Sequence, residues 1–240
     1  MKDNECSDPI HRRIRDNAKY FGDDVRLIGD IKLGKGAIIG DRVTIGHPDR
    51  SDIERSGHIM TNSRRTEIGD NLLIRSGSVI YEGANIGSGV QMGHSVIIRE
   101  DSLIGDRVTL GNYSIVEFKS SIGSDTLLHS GVATSENCWI GKNVWISPHV
   151  VMTGGRLMLG AAVRAGTASR EQLVADESQL IDGAYSVVID DGARIGAGAV
   201  ILSRVRVGED AVIAAGAVVD QEIPPGVVAA GNPARVLRQL

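Results

Sequence analysis

Aromatic rings are scarce: Phe, Tyr and Trp make up 3% of the 240 residues, although 42% of the chain is hydrophobic. The apolar interior must therefore be built from Ile, Val, Leu and Ala, which suits a narrow and regular core. Cysteine is equally rare. Cys6 and Cys138 have no related spacing, which excludes a disulfide framework and a metal-ligand set and fits a reducing compartment. No run of about 18 apolar residues occurs, so no membrane-spanning helix is expected, and the polar opening MKDNECSDPIHRRIRDN does not read as a secretory leader. The expectation is a soluble, cytoplasmic chain. Positive charge is also lacking: the net charge is −4, and no basic stripe with interleaved rings appears. That argues against a dedicated nucleic-acid binder.

What the chain does have is a period of six. From Ile68 to Met152, every sixth residue is aliphatic or Met (Ile74, Ile80, Ile86, Met92, Ile98 and so on), with Thr134 as the one exception. Four residues after each comes a small or aliphatic residue, such as Leu72, Ser78, Ala84, Val90 and Val96. Gly often follows the large apolar position, as at Gly69, Gly87, Gly93, Gly105, Gly111, Gly123 and Gly141. An α-helix cannot keep this period, and an ordinary strand gives no reason for a sixfold Gly. A chain turning a corner every six residues accounts for both.

The same rhythm begins at Leu27, Leu33, Ile39 and Ile45 and returns at Ile189, Ile195, Ile201, Val207, Ile213 and Val219. Two polar stretches interrupt it, 47–67 and 153–188, and are read as inserted loops, the second with a short helix near ASREQLVADE. Residues 1–24 form a capping segment with a short helix after Pro9, 25–223 the repeat domain, and 224–240 a tail. Three six-residue strands make one triangular coil, so the repeats build about eight coils. The fold class is all-β, a parallel β-helix.

This pattern resembles the hexapeptide-repeat acyltransferases. IRSGSVIY (74–81), VQMGHSVIIRE (90–100) and IPPGVVAAGNPAR (223–235) are similar to their sugar N- or O-acetyltransferase branch. Ser95 stands where such relatives commonly carry Asn. The resemblance implies left-handed winding, a homotrimer, acetyl-CoA held in the groove between adjacent prisms, and one His as general base. It implies no metal. The activity expected is acetyl transfer from acetyl-CoA to the amino group of a nucleotide-linked amino sugar. The alternatives are an O- or N-acyltransferase acting on an antibiotic or other secondary metabolite, and a non-catalytic scaffold subunit.

Acyl transfer needs a base active near neutrality, a donor for the developing oxyanion and two substrates held in line. His94 lies two residues past inward Met92, at an outward corner, and is the candidate base; most of that assignment comes from the resemblance. Ser76 and Asn112 fall eighteen residues to either side in the same column, and Gly93 and Gly111 stack beside them as bare backbone donors. His129 lies two coils above Gly93 and could line the acetyl-CoA groove. His47 and His58, in the first insertion, are candidates for touching the acceptor. Lys142, Arg204 and Arg206 are candidates for the CoA phosphates. The resemblance adds Asn232, Pro233 and Arg235 near the nucleotide. Cys138 falls in the small inward column and is read as a core thiol, so attack is direct, without a covalent enzyme intermediate. Outward Trp139 and Trp145 are expected to pack between subunits. A three-His zinc enzyme on the same prism needs two His five residues apart; no pair of the six is so spaced. No Gly-rich phosphate loop precedes the repeats, which disfavours a nucleotidyltransferase.

Overall fold

The computed structural model describes residues 14–58, 64–154, 166, 169, 181–182 and 185–240. Short strands stack into three parallel faces, and the fold is the left-handed parallel β-helix. Face I runs Ala18–Phe21, Ala37–Ile39, Leu73–Ile74, Gln91–Met92, Thr109–Leu110, Leu127–Leu128, Trp145–Ile146, Arg194–Ile195, Val212–Ile213 and Val227–Gly231, closed by an antiparallel strand Ala234–Gln239. Face II begins at Arg26–Leu27 and ends at Val218–Val219; face III runs from Ile31–Leu33 to Val205–Val207.

Registers step by one coil of eighteen residues: Met92 sits beside Leu110, Ile98 beside Val116 and Ile104 beside Ile122. Face II breaks at the level of Thr134, the one inward position in the long run that is not aliphatic or Met. Only a bridge through Ala133 links Ile115 to Val151 there, and the Thr134 hydroxyl accepts the Glu117 N–H at 2.9 Å. Ile140 pairs with Ile189 across the second insertion, so the prism continues in register on either side of it. The short helix expected within that insertion lies outside the described residues.

The inward large residues are buried essentially completely, among them Ile39, Ile45, Ile80, Ile98 and Leu128. Several inward small residues are polar for a definite reason. The hydroxyls of Ser78, Ser102, Ser114, Ser120 and Thr126 donate to the carbonyls of Gly93, Glu117, His129, Ser135 and Gly141, one corner further up the column. Each satisfies a corner carbonyl that the strand ladders leave free. Cys138 is fully buried 3.4 Å from the Met152 sulfur; burial pushes its thiol up to about 12, so no thiolate is offered for chemistry.

The glycines after the large residues do not make the corners. Positive φ falls two residues later, at every sixth position from Asn71 to His149, and non-Gly residues such as Ser95, Asp101, Arg107 and Tyr113 hold several of those places. Gly93 and Gly111 serve close stacking instead. A Cβ on Gly93 would lie 2.6 Å from the Asn112 backbone nitrogen, and one on Gly111 would strike the Ser130 backbone. Gly111→Ala is expected to destabilise the fold by about 1–3 kcal/mol through overpacking, measurable by denaturant unfolding.

At the N-terminal end, residues 14–17 are helical, Ile14 is buried, and Ala18–Phe21 pairs with Ala37–Ile39. At the other end, Val227–Gly231 adds a parallel strand to face I before the hairpin. Both segments extend the ladder beyond the six-residue rhythm, so face I carries ten parallel levels where the repeat count suggests about eight coils. No helix among the described residues is long and apolar enough to cross a membrane.

Candidate functional site

His94 sits on the corner between faces I and II, with its side chain exposed. Its own N–H donates to Asn112 Oδ1 at 2.8 Å, and its carbonyl accepts the Tyr113 N–H at 2.9 Å. Asn112 is thus a corner cap, as Ser76 is when its hydroxyl accepts the Asp41 N–H at 3.2 Å. The same device recurs on the corner between faces III and I, where Asp106 and Ser124 accept from Ser88 and Asp106. Asn112 thereby holds the His94 backbone, while Ser76 holds that of Asp41 one coil below.

The expected donors are not available as expected. The Gly93 and Gly111 N–H groups are committed to the ladder, at 2.8 and 2.7 Å from the Leu110 and Leu128 carbonyls. Among the described residues the Asn112 N–H has no acceptor, and it lies on the corner one coil above His94. The column above offers no capping oxygen to it, because the Ser130 hydroxyl does not turn down. A base with a free backbone N–H one coil above it is an arrangement able to hold a developing oxyanion. The period of six fixes the column but not which corner N–H goes unpaired, so sequence reasoning chose the neighbouring Gly111.

A small cavity of 110 Å³ adjoins the corner, lined by Arg75, Gln91, Met92, Gly93, Gly111 and Asn112 among others. Its floor is bare because Gly93 and Gly111 carry no side chains. In the same column Arg75 stands below this floor and His129 above it. His129 rests against Trp145, with ring centroids 5.1 Å apart. Trp145 is 49% exposed on face I, whereas Trp139 is half-buried on face III, so the two rings do not share a surface.

The remaining candidates divide among surfaces. Asn232, Pro233 and Arg235 lie in the hairpin at the top of face I, on the face that carries His129; Arg235 is held by Asp220 at 3.1 Å. Lys142 is exposed on the corner between faces III and I, its N–H bonded to Asp191. Arg204 turns the corner between faces II and III with positive φ. Arg206 is on face III and is engaged by Asp182 at 2.7 Å and Asp190 at 3.9 Å. Burial raises the Asp190 carboxyl despite Arg206 beside it, with Asp191, Asp182 and Glu222 adding to the rise. Face I thus gathers His94, His129 and the terminal hairpin, and leaves Arg204 and Arg206 elsewhere.

His47 lies at the far edge of face II from His94. Its Nδ1 is 2.8 Å from the Pro48 carbonyl, and its ring meets Tyr81 at 4.7 Å. His58 is exposed beyond a short helix, α1, spanning Arg50–Ser56. What anchors this insertion is a cluster the repeat gives no sign of. Glu82 is fully buried; its carboxylate accepts the Asp49 N–H at 2.8 Å and the Arg64 N–H at 3.0 Å, and pairs with the Arg64 guanidinium at 3.1 Å. Arg64 also reaches Asp101 at 2.6 Å and pairs with Asp49. Burial pulls the Asp49 carboxyl up, but hydrogen bonds from Asp52 N–H, Ser51 and Arg64 outweigh it and hold it below the usual range. Asp49, Asp52 and Glu82 lie close enough to hold an ion, but Arg64 and Arg55 already supply cations to them.

Beside Tyr81, the Arg99 guanidinium lies 4.9 Å from that ring, bidentate on Glu100 at 2.7 Å and 3.5 Å from Glu117. Burial lifts the Glu117 carboxyl; Arg99 opposes this, while Glu136 and Glu100 add to it, and the net position is above the ordinary range. Such a group holds its proton in the folded chain to a higher pH than in the unfolded one. Its contribution to stability is therefore present below the ordinary pKa and lost as pH rises through the folded value. Glu117→Gln should raise the thermal midpoint at pH 7 and give no gain near pH 3, read by melts across that range.

Comparison with known proteins agrees with the fold. The bacterial transferase hexapeptide (six repeats) family matches residues 186–221. UDP-N-acetylglucosamine acyltransferase from Campylobacter jejuni superposes with a TM-score of 0.66 at 17% identity, over 90% of this chain and 74% of that one. The chain carries the hexapeptide repeat at residues 186–221 and shares its fold with that acyltransferase. Over 56 residues this hexapeptide-repeat chain is 55% identical to 2,3,4,5-tetrahydropyridine-2,6-dicarboxylate N-acetyltransferase from Staphylococcus aureus (strain JH9), and the match spans 23% of the length of each.

Proposed function

We propose that this hexapeptide-repeat protein is an acyl-CoA-dependent acyltransferase, transferring acetyl to the amino group of a nucleotide-linked amino sugar. The observation that carries the reading is the corner itself: exposed His94 beside a bare-floored cavity, with the uncommitted Asn112 N–H one coil above. In this reading His94 takes the proton as the amine nitrogen attacks the thioester carbonyl. The oxyanion is held by the Asn112 N–H, the C–S bond breaks, and the CoA thiol leaves with a proton returned through His94. Cys138 takes no part.

The site is proposed to be completed by a second copy in a homotrimer. Face II supports this, because its outward residues are apolar for seven successive levels: Val79, Ile97, Ile115, Ala133, Val151, Val200 and Val218. A β-face apolar on both sides needs a covering surface, and His94 lies on its edge.

A second acceptor class has a specific observation behind it. The Staphylococcus aureus relative is named for N-acetyl transfer to a small cyclic dicarboxylate, which favours a small acidic amine as the alternative. Release of CoA thiol from acetyl-CoA, followed with UDP-glucosamine and with small amino dicarboxylates, separates the two. Release with neither, or release without acylation of the acceptor, contradicts the proposal.

A further inference from the structure

Tyr113 is the one tyrosine among the positive-φ corners of the described residues. It holds one of the positive-φ corners, with φ 60, and no other of those corners between Asn71 and His149 carries a phenol or phenyl ring. Asn, Asp and Gly take that conformation readily; a bulky side chain there is strained. The ring is also 69% exposed in a chain that is 3% aromatic. Among the described residues no side-chain hydrogen bond or ring contact holds it. Its backbone, in contrast, is tied to the candidate base: the Tyr113 N–H donates to the His94 carbonyl at 2.9 Å.

Neighbouring corners indicate where such a side chain goes. Asn71 folds down over Gly36, Ser95 over Gly77 and His149 over Gly131; their polar atoms come within 2.7, 3.2 and 2.5 Å of where a Cβ on that Gly would lie. Those side chains descend where the coil below has Gly. Below Tyr113 stands Ser95 instead, next to His94, and the ring remains on the outside of that corner.

We propose that Tyr113 is an acceptor-binding residue, whose ring walls the His94 site from above and stacks on the carbon face of a sugar acceptor. The chemistry is the usual one: an aromatic face offers a flat apolar surface to the C–H face of a sugar ring, and its strain persists because binding uses the ring. The inference rests on the reading of His94 as the base and names the residue that selects the acceptor.

The test measures steady-state rates with acetyl-CoA and UDP-glucosamine for the wild type, Tyr113→Asn, Tyr113→Phe and His94→Ala, together with thermal midpoints and sedimentation. Tyr113→Asn relieves the backbone and should melt higher, yet raise KM for UDP-glucosamine at least tenfold, with KM for acetyl-CoA and the trimer unchanged and kcat within about threefold. Tyr113→Phe keeps the ring and should behave as wild type. An unchanged KM for UDP-glucosamine in Tyr113→Asn overturns the inference, as does a loss of assembly, which would make the ring a subunit contact. No thiol release by the wild type, or release that survives in His94→Ala, overturns instead the reading beneath it.

Discussion

His94→Ala is expected to keep the fold and the assembly and to lose at least about a hundredfold in turnover. The fold should survive because the features that hold this corner do not use the imidazole. His94 contributes its backbone N–H to Asn112 Oδ1 and its carbonyl to the Tyr113 N–H, and Ala supplies both. The inward residues on either side, Met92 and Val96, are unaffected. The loss should appear in kcat rather than in KM for acetyl-CoA, because the base acts on the proton that leaves during attack. An unchanged circular dichroism spectrum with a collapsed initial rate is the expected pair of observations. Asn112→Ala tests the other half of the corner. It removes the cap on the His94 N–H but keeps the Asn112 N–H, so it should cost less than the His94 change.

Arg64→Ala is the second large expectation, on stability rather than rate. It would take the Arg64 guanidinium away from the buried carboxylate of Glu82, and Asp49 and Asp101 would lose the same partner. Removing one member of a buried ion pair costs about 3–5 kcal/mol. The low end, about 3 kcal/mol, applies here, because the N–H groups of Asp49 and residue 64 remain on Glu82. Adding Glu82→Gln should recover part of the loss by removing the buried charge that Arg64 opposed. Urea unfolding of the two variants measures this; equal stability of Arg64→Ala and wild type would mean the insertion is not anchored through this ion pair.

These expectations differ in how far the sequence foretold them. The register was legible because each strand contributes one large inward residue, so Ile68, Ile74 and Ile80 announce three faces in turn. The outward place of His94 follows from Met92 by counting. The role of Gly was legible only in part: its position beside the large residue is plain, but φ and stacking distance are not, and Gly93 and Gly111 lie flat under the next coil while Ser95 and Tyr113 make the turns. The uncommitted N–H falls at Asn112, one residue past the Gly111 that the sequence suggested, since ladder bonding rather than residue type decides which N–H is left over. The Arg64 cluster was not legible at all. Its members come from an insertion and from corners of two coils, and no period links Asp49, Arg64, Glu82 and Asp101. The phosphate candidates were grouped by charge, and the fold separates them, with Arg206 already taken by Asp182.

The most direct test of the whole account is a crystal structure with CoA bound. The thiol end is predicted to lie at the corner of faces I and II, within hydrogen-bonding reach of the His94 imidazole and the Asn112 N–H. A thiol placed instead at the opposite edge of face II, among Arg99, Glu100 and Glu117, would contradict it.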